Sequence, residues 1–113
     1  MFPYRNMLEI LYRYNSTMSS NNTLQCSEIE QKYLVEFGKN IRFLRNSIAQ
    51  KSLRIFAYEN DIPCATLSRI ENGIRIPNLL ILRKIAAGLN FDLSTLISKV
   101  EENIPEDLKG FDI

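Results

Sequence analysis

Histidine occurs nowhere in the 113 residues. Its absence removes imidazole acid–base chemistry, imidazole-activated nucleophiles and imidazole metal ligands together. Cysteine is scarce, with Cys26 and Cys64 the only two. Two thiols cannot complete a tetrahedral zinc site, and in a small intracellular-type domain they read as reduced thiols. No apolar run approaches the ~20 residues that span a bilayer. The N-terminus is apolar but carries Arg5, Glu9 and Arg13, and no small-residue cleavage site follows, so no signal peptide is expected. There is no phosphate-binding glycine loop and no carboxylate cluster in the apolar-periodic part of the chain. The expectation is therefore a non-enzyme without metal, cofactor or membrane association, in the cytoplasm. No run alternates apolar and polar residues as a half-buried strand would, so the domain is expected to be all-α.

What is present fits one domain and some extensions. Apolar residues make up 45% of the chain, ordinary for a globule. The net charge of +1 hides a segregation. Residues 32–97 carry ten Lys/Arg against five Asp/Glu, whereas residues 98–113 carry two against five. The basic excess lies in the segment with helical patterning. On its own this is a modest signal, because a solvated surface often carries such an excess.

Residues 3–14 have the pattern of a short helix, with Arg5, Glu9 and Arg13 on one side and Tyr4, Met7, Leu8, Ile10, Leu11 and Tyr14 over much of the rest. A helix this short is marginal alone. It reads either as a partner-binding arm or, the reading preferred here, as a loose extension that translation from Met7 or Met18 would omit. Residues 15–25 read as a linker. Ser27 and Glu30 form a capping-box pattern. Leu34, Phe37, Ile41, Leu44 and Ile48 then repeat at spacings of 3, 4, 3 and 4, one apolar stripe on a helix of roughly 28–47. Ser52 suits the N-cap of a second helix over 53–59, with Leu53, Phe56 and Ala57 inward. Asp61 and Ile62 make a turn. Pro63 opens a third helix over 63–72, which Gly73 ends as a left-handed residue. Asn78 caps a fourth helix with Leu82, Ile85, Ala86 and Leu89 inward. Asp92 caps a fifth with Leu93, Leu96 and Ile97 inward and Val100 extending it. The division is an extension and linker over 1–27, a domain over 28–98, and an acidic, mobile tail over 99–113.

The stretch Leu53–Gly73 has the layout of a helix-turn-helix. Two helices meeting over a short turn need a small residue where they cross, and Ala57 is there. The turn needs a left-handed residue, and Asp61 is there at some steric cost. Ile62, Leu67 and Ile70 make a buried side for the third helix. Cys64, Ala65, Thr66, Ser68 and Arg69 are short or polar and face outward. Such a helix fits the DNA major groove.

Several separated pieces keep the order and nearly the spacing of a known family. These are FGKNIRFLR on the first helix, Phe56-Ala57, TLSRIENG at 66–73, Arg75-Ile76-Pro77, and LRKIAAGLNFDLSTLI at 82–97. Residues 37–97 resemble the Cro/repressor-type, or xenobiotic-response-element, helix-turn-helix family. The resemblance implies a five-helix lambda-repressor-like bundle that binds double-stranded DNA. It implies that Arg45 pairs with Glu71, locking the first helix onto the recognition helix and leaving guanidinium donors for a phosphate. It sets Cys64, Ala65, Ser68 and Arg69 on base-contacting positions. Ser52, the Leu53 N–H, Thr66, Asn72 and Arg75 fall on phosphate-contacting positions. There are departures. Leu53 stands where glutamine is common, Asp61 where glycine is common, and Ile74 where lysine or arginine is common. The turn after the first helix has one extra residue and no glycine between Ser47 and Lys51. These departures imply weaker phosphate anchoring than is usual.

Of the base-facing set, only Arg69 can make a strong bidentate contact, most naturally to guanine O6 and N7, worth ~1–3 kcal/mol of discrimination. Ala65 suits a thymine methyl and Ser68 is permissive. Without the motif, Arg69 would read as a solvated arginine and Glu71 as a surface acid. Cys64 is most simply a small contact residue; a thiol at a helix N-terminus is the starting point for oxidant sensing. The expected function is a sequence-specific transcription regulator, repressor-like and dimeric. Leu93, Leu96, Ile97 and Val100 are the expected dimer surface by family analogy. The alternative is an antitoxin-type module that covers a small protein partner and also binds its operator.

Overall fold

The computed structural model describes residues 26–110, and the expected helix at 3–14 and linker at 15–25 lie outside them. Helix α1 spans Glu28–Leu44 and starts where the capping box predicts. The Ser27 hydroxyl accepts the Glu30 N–H at 3.2 Å, and Glu30 Oε1 accepts the Ser27 N–H at 2.8 Å. Two orphan donors of the first turn are thereby satisfied.

The end of α1 departs from the expected α-helix. Residues Arg45–Ala49 form a π-helical turn, closed by the Gln50 N–H on the Arg45 carbonyl. The extra residue of this segment is absorbed as a wider turn. Gln50, at φ 54°, takes the left-handed role for which a glycine is missing. Ser47 Oγ donates to the Phe43 carbonyl at 2.7 Å and helps satisfy the opened backbone. The wider turn rotates the last residue of the expected stripe outward. Ile48 is exposed, while Phe37, Ile41 and Leu44 are buried as expected.

Four more helices follow: α2 (Leu53–Glu59), α3 (Cys64–Glu71), α4 (Leu79–Gly88) and α5 (Leu93–Glu101). No strand is present among the described residues. Ser52, Asn78 and Asp92 each cap their helix by accepting the N–H three residues on. Asp61 is left-handed at φ 56° in the α2–α3 turn, and Gly73 at φ 74° ends α3. The Ile74 N–H reaches the Arg69 carbonyl and the Gly73 N–H reaches that of Ile70, a Schellman closure.

All five helices feed one core. Phe37, Ile41 and Leu44 from α1 meet Phe56 and Ala57 from α2, Leu67 from α3, Ile85 and Ala86 from α4, Leu89 at its C-cap, and Leu96 and Val100 from α5. Each fully buried large side chain contributes ~1.5–3 kcal/mol relative to exposure. Two expectations are corrected here. Leu96 and Val100 are completely buried, so they cannot form a dimer surface; Leu93 and Ile97 are only half-buried. The stretch 99–110, expected to be tail, is mostly packed. Helix α5 runs to Glu101, Ile104 is buried, and Leu108 in a 3₁₀ turn (Glu106–Leu108) packs on the core. Pro105 and its charged neighbours look solvated locally, but the two apolar residues flanking them reach back to the core beside α1.

Candidate nucleic-acid interface

Helix α3 is held from behind by α1, and a glycine sets the distance. A Cβ on Gly38 would lie 2.3 Å from the Ile70 carbonyl oxygen and 2.6 Å from that of Glu71. Gly73 does the same at the other contact, where a Cβ would meet Val35 Cα at 2.6 Å. With the backbones this close, Leu67 and Ile70 are buried completely, and the opposite side of α3 turns to solvent.

A buried ion pair fixes the orientation. Glu71 is 1% exposed and Arg45 7%. Arg45 Nε donates to Glu71 Oε2 at 2.7 Å and Nη2 donates to Oε1 at 2.9 Å, a bidentate fork. Arg45 Nη1 donates to the Lys51 carbonyl at 2.8 Å and to Asn46 Oδ1 at 3.1 Å. One guanidinium therefore ties together α1, the loop before α2 and the end of α3. The hydrogen bonds to Glu71 push the Arg45 pKa further up against the opposing effect of burial, so the group stays charged.

Arg45 pairs with Glu71, with its donors turned inward and its side chain buried. The exposed cation beside it is Arg42, which sequence reasoning did not single out. Arg42 Nε donates to Glu71 Oε1 at 3.3 Å and Nη2 donates to Asn72 Oδ1 at 2.8 Å. Its side chain is 44% exposed. The only sequence signal is its position one turn before Arg45, with an inward-facing acid as common partner.

Cys64, Ala65 and Arg69 are exposed along the outer side of α3, while Ser68 and Thr66 are half-buried. The side chains of Arg69 and Arg75 make no hydrogen bond or ion pair with any described residue. Thr66 and Arg75 line one shallow groove with Pro63, Ile76 and Pro77, between the start of α3 and the loop that follows it. Ser52 is exposed and its Oγ accepts the Ile55 N–H at 3.2 Å, so the hydroxyl proton is free to be donated outward. Leu53 is half-buried and brings only its backbone N–H. Asn72 is exposed but engaged, its Nδ2 donating to the Ser68 carbonyl at 2.9 Å while its Oδ1 takes Arg42. Asn72 thus positions Arg42.

Cys64 is a free, exposed thiol, and Cys26 is free and half-buried. No group of His, Cys, Asp or Glu among the described residues could hold a metal ion. Among them, too, no helix is long and apolar enough to cross a membrane.

Residues 57–96, from the middle of α2 into α5, match the helix-turn-helix family model. The chain is also 38% identical over 68 residues to a protein named Control protein C.MunI from Mycoplasma sp., covering 60% of this chain and 92% of that protein.

Proposed function

The chain belongs to the Cro/C1-type helix-turn-helix family of DNA-binding transcription regulators, and we propose that it acts as a repressor-like dimer reading an operator with α3. The observation that carries this reading is the two-sidedness of α3. Its inner side is fixed by Gly38 and the Arg45–Glu71 fork, and its outer side presents Cys64, Ala65 and Arg69 unpaired to solvent. A recognition helix needs this arrangement, rigid behind and uncommitted in front.

In this reading Arg69 is the discriminating contact and guanine its natural partner. Ala65 and Cys64 supply apolar contact, and Ser68, half-buried, contributes at the edge. Arg42 and Arg75 flank the helix as phosphate contacts, with Ser52, the Leu53 N–H, Thr66 and Asn72 as uncharged ones. Arg42 takes over the phosphate role expected of Arg45. A single such helix reads too few bases for a useful operator. Two copies on half-sites about one helical turn apart, ~34 Å, supply the rest. Occupying the operator is enough for repression and needs no ligand-sensing domain.

The test is selection of bound duplexes from random DNA with the full chain. The expected enrichment is an inverted repeat whose half-sites are separated by about one turn. Uniform recovery of unrelated sequences would contradict sequence-specific reading.

A further inference from the structure

The π-helical turn at the end of α1 builds an apolar surface. It turns Ile48 outward, 46% exposed, near Phe43, which is 64% exposed. Both line a groove between α1 and the end of α5, with buried Leu44 beneath them and the exposed Lys99 and Glu102 across from them. Asn40 and Ser47 line it too, but their donors are committed. Asn40 Nδ2 donates to the Val100 carbonyl at 2.8 Å, and Ser47 Oγ to the Phe43 carbonyl at 2.7 Å. The groove therefore offers an apolar floor under a charged rim, which suits an apolar occupant with a polar edge. Exposed apolar side chains gathered in this way mark a contact surface.

The chain itself carries a matching segment. Residues 3–14 lie outside the described residues, and their sequence has the pattern of an amphipathic helix. At ~100° per residue, Tyr4, Met7, Leu8, Leu11 and Tyr14 fall in one arc, and Arg5, Glu9 and Arg13 fall opposite it. Tyrosines suit such a groove, because the ring is apolar and the hydroxyl reaches a wet rim. The connection is long enough. Phe43 and Ile48 stand ~22–30 Å along α1 from its first residue, at the helical rise per residue. Residues 15–25, fully extended, span up to ~36–40 Å. The segment can therefore reach the groove of its own chain. A short tether gives it an effective concentration on the order of millimolar there, and a second copy at micromolar concentration competes poorly with that.

We propose that residues 4–14 form a helix seated in the α1–α5 groove of the same chain, its apolar side on Phe43 and Ile48. A helix this short is marginal alone, and the groove supplies the surface that it lacks. The N-terminal segment is then neither a loose extension nor an arm for a partner. It is a part of the domain, and Phe43 and Ile48 are the floor on which it packs.

The experiment is amide hydrogen exchange, read by mass spectrometry, on the full chain and three full-length variants. In wild type the amides of residues 4–14 are expected to exchange roughly tenfold or more slowly than in Phe43→Ser with Ile48→Ser. Met7→Ser with Leu11→Ser alters no described residue, so the core is untouched, and it is expected to show the same loss of protection. Leu80→Ser alters a comparably exposed residue on α4 and is expected to keep the protection. Wild-type amides that exchange as fast as those of the Met7/Leu11 variant overturn the proposal. Protection that survives in either double variant overturns it as well, and equal loss in Leu80→Ser moves the contact to α4 and does the same. Protection that falls when wild type is diluted about tenfold, as mass action requires of a contact between copies, puts the segment on a second copy and overturns the seat within one chain.

Discussion

Helices α3 and α4 are neighbours in the chain, separated by the loop 72–78, and they use their outward sides in opposite ways. Helix α3 presents Cys64, Ala65 and Arg69, small or polar groups that stand free in water. Helix α4 presents Leu79, Leu80 and Ala87, which do not belong in water. Behind α3 lies a buried ion pair; behind α4 lies the hydrophobic core, with the Phe56 ring against Gly88. The difference sets what each side can meet. A helix that enters a groove must keep polar groups solvated until DNA replaces the water, and it needs a directional clamp to hold its angle.

That contrast can be broken most severely from the α3 side. Glu71→Ala leaves Arg45 buried without its partner, and breaking such a pair costs ~3–5 kcal/mol. Urea unfolding should show that loss, together with weaker DNA binding. Gly38→Ala acts on the same helix without touching charge. The new methyl meets the Ile70 and Glu71 carbonyls, and the backbone must move. A loss of ~1–3 kcal/mol in unfolding free energy is expected. Arg42→Ala and Arg75→Ala should each reduce the slope of log affinity against log salt by about one and weaken binding evenly across sequences. An unchanged slope in Arg42→Ala would return the phosphate role to Arg45. The smallest effect is expected for Asp61→Gly. It relieves a left-handed aspartate but gives up an exposed contact with Lys84 and adds unfolded-state entropy. Thermal unfolding should change by at most ~1 kcal/mol in either direction.

Most of the fold was readable from local signals. The Ser27–Glu30 box, Ser52, Asn78 and Asp92 mark four helix starts, and each makes the hydrogen bond its residue type implies. The buried side of α3 followed from periodicity alone. What the residues did not reveal depends on packing between distant segments. The extra residue after α1 was visible, but not that it widens a helix turn and rotates Ile48 out of the stripe. Ile104 and Leu108 sit among charges and a proline, so only the core they pack on identifies them as core residues. The Arg45–Glu71 pair came from the resemblance. Arg42 joined it only once α1 and the end of α3 were seen side by side. Leu79 and Leu80 are in plain view as letters. The inward set Ile85, Ala86 and Leu89 was expected from spacing, and the structure adds that Leu79 and Leu80 stay exposed.

The central claim is that the exposed side of α3 reads bases through Arg69. It is tested by titrating the selected operator and a scrambled duplex of the same length with wild type and with Arg69→Ala, at one salt concentration. Wild type should prefer the operator, and Arg69→Ala should lose ~1–3 kcal/mol of that preference while its affinity for the scrambled duplex changes little. Equal loss on both duplexes would reduce Arg69 to a phosphate contact and contradict base reading by this helix.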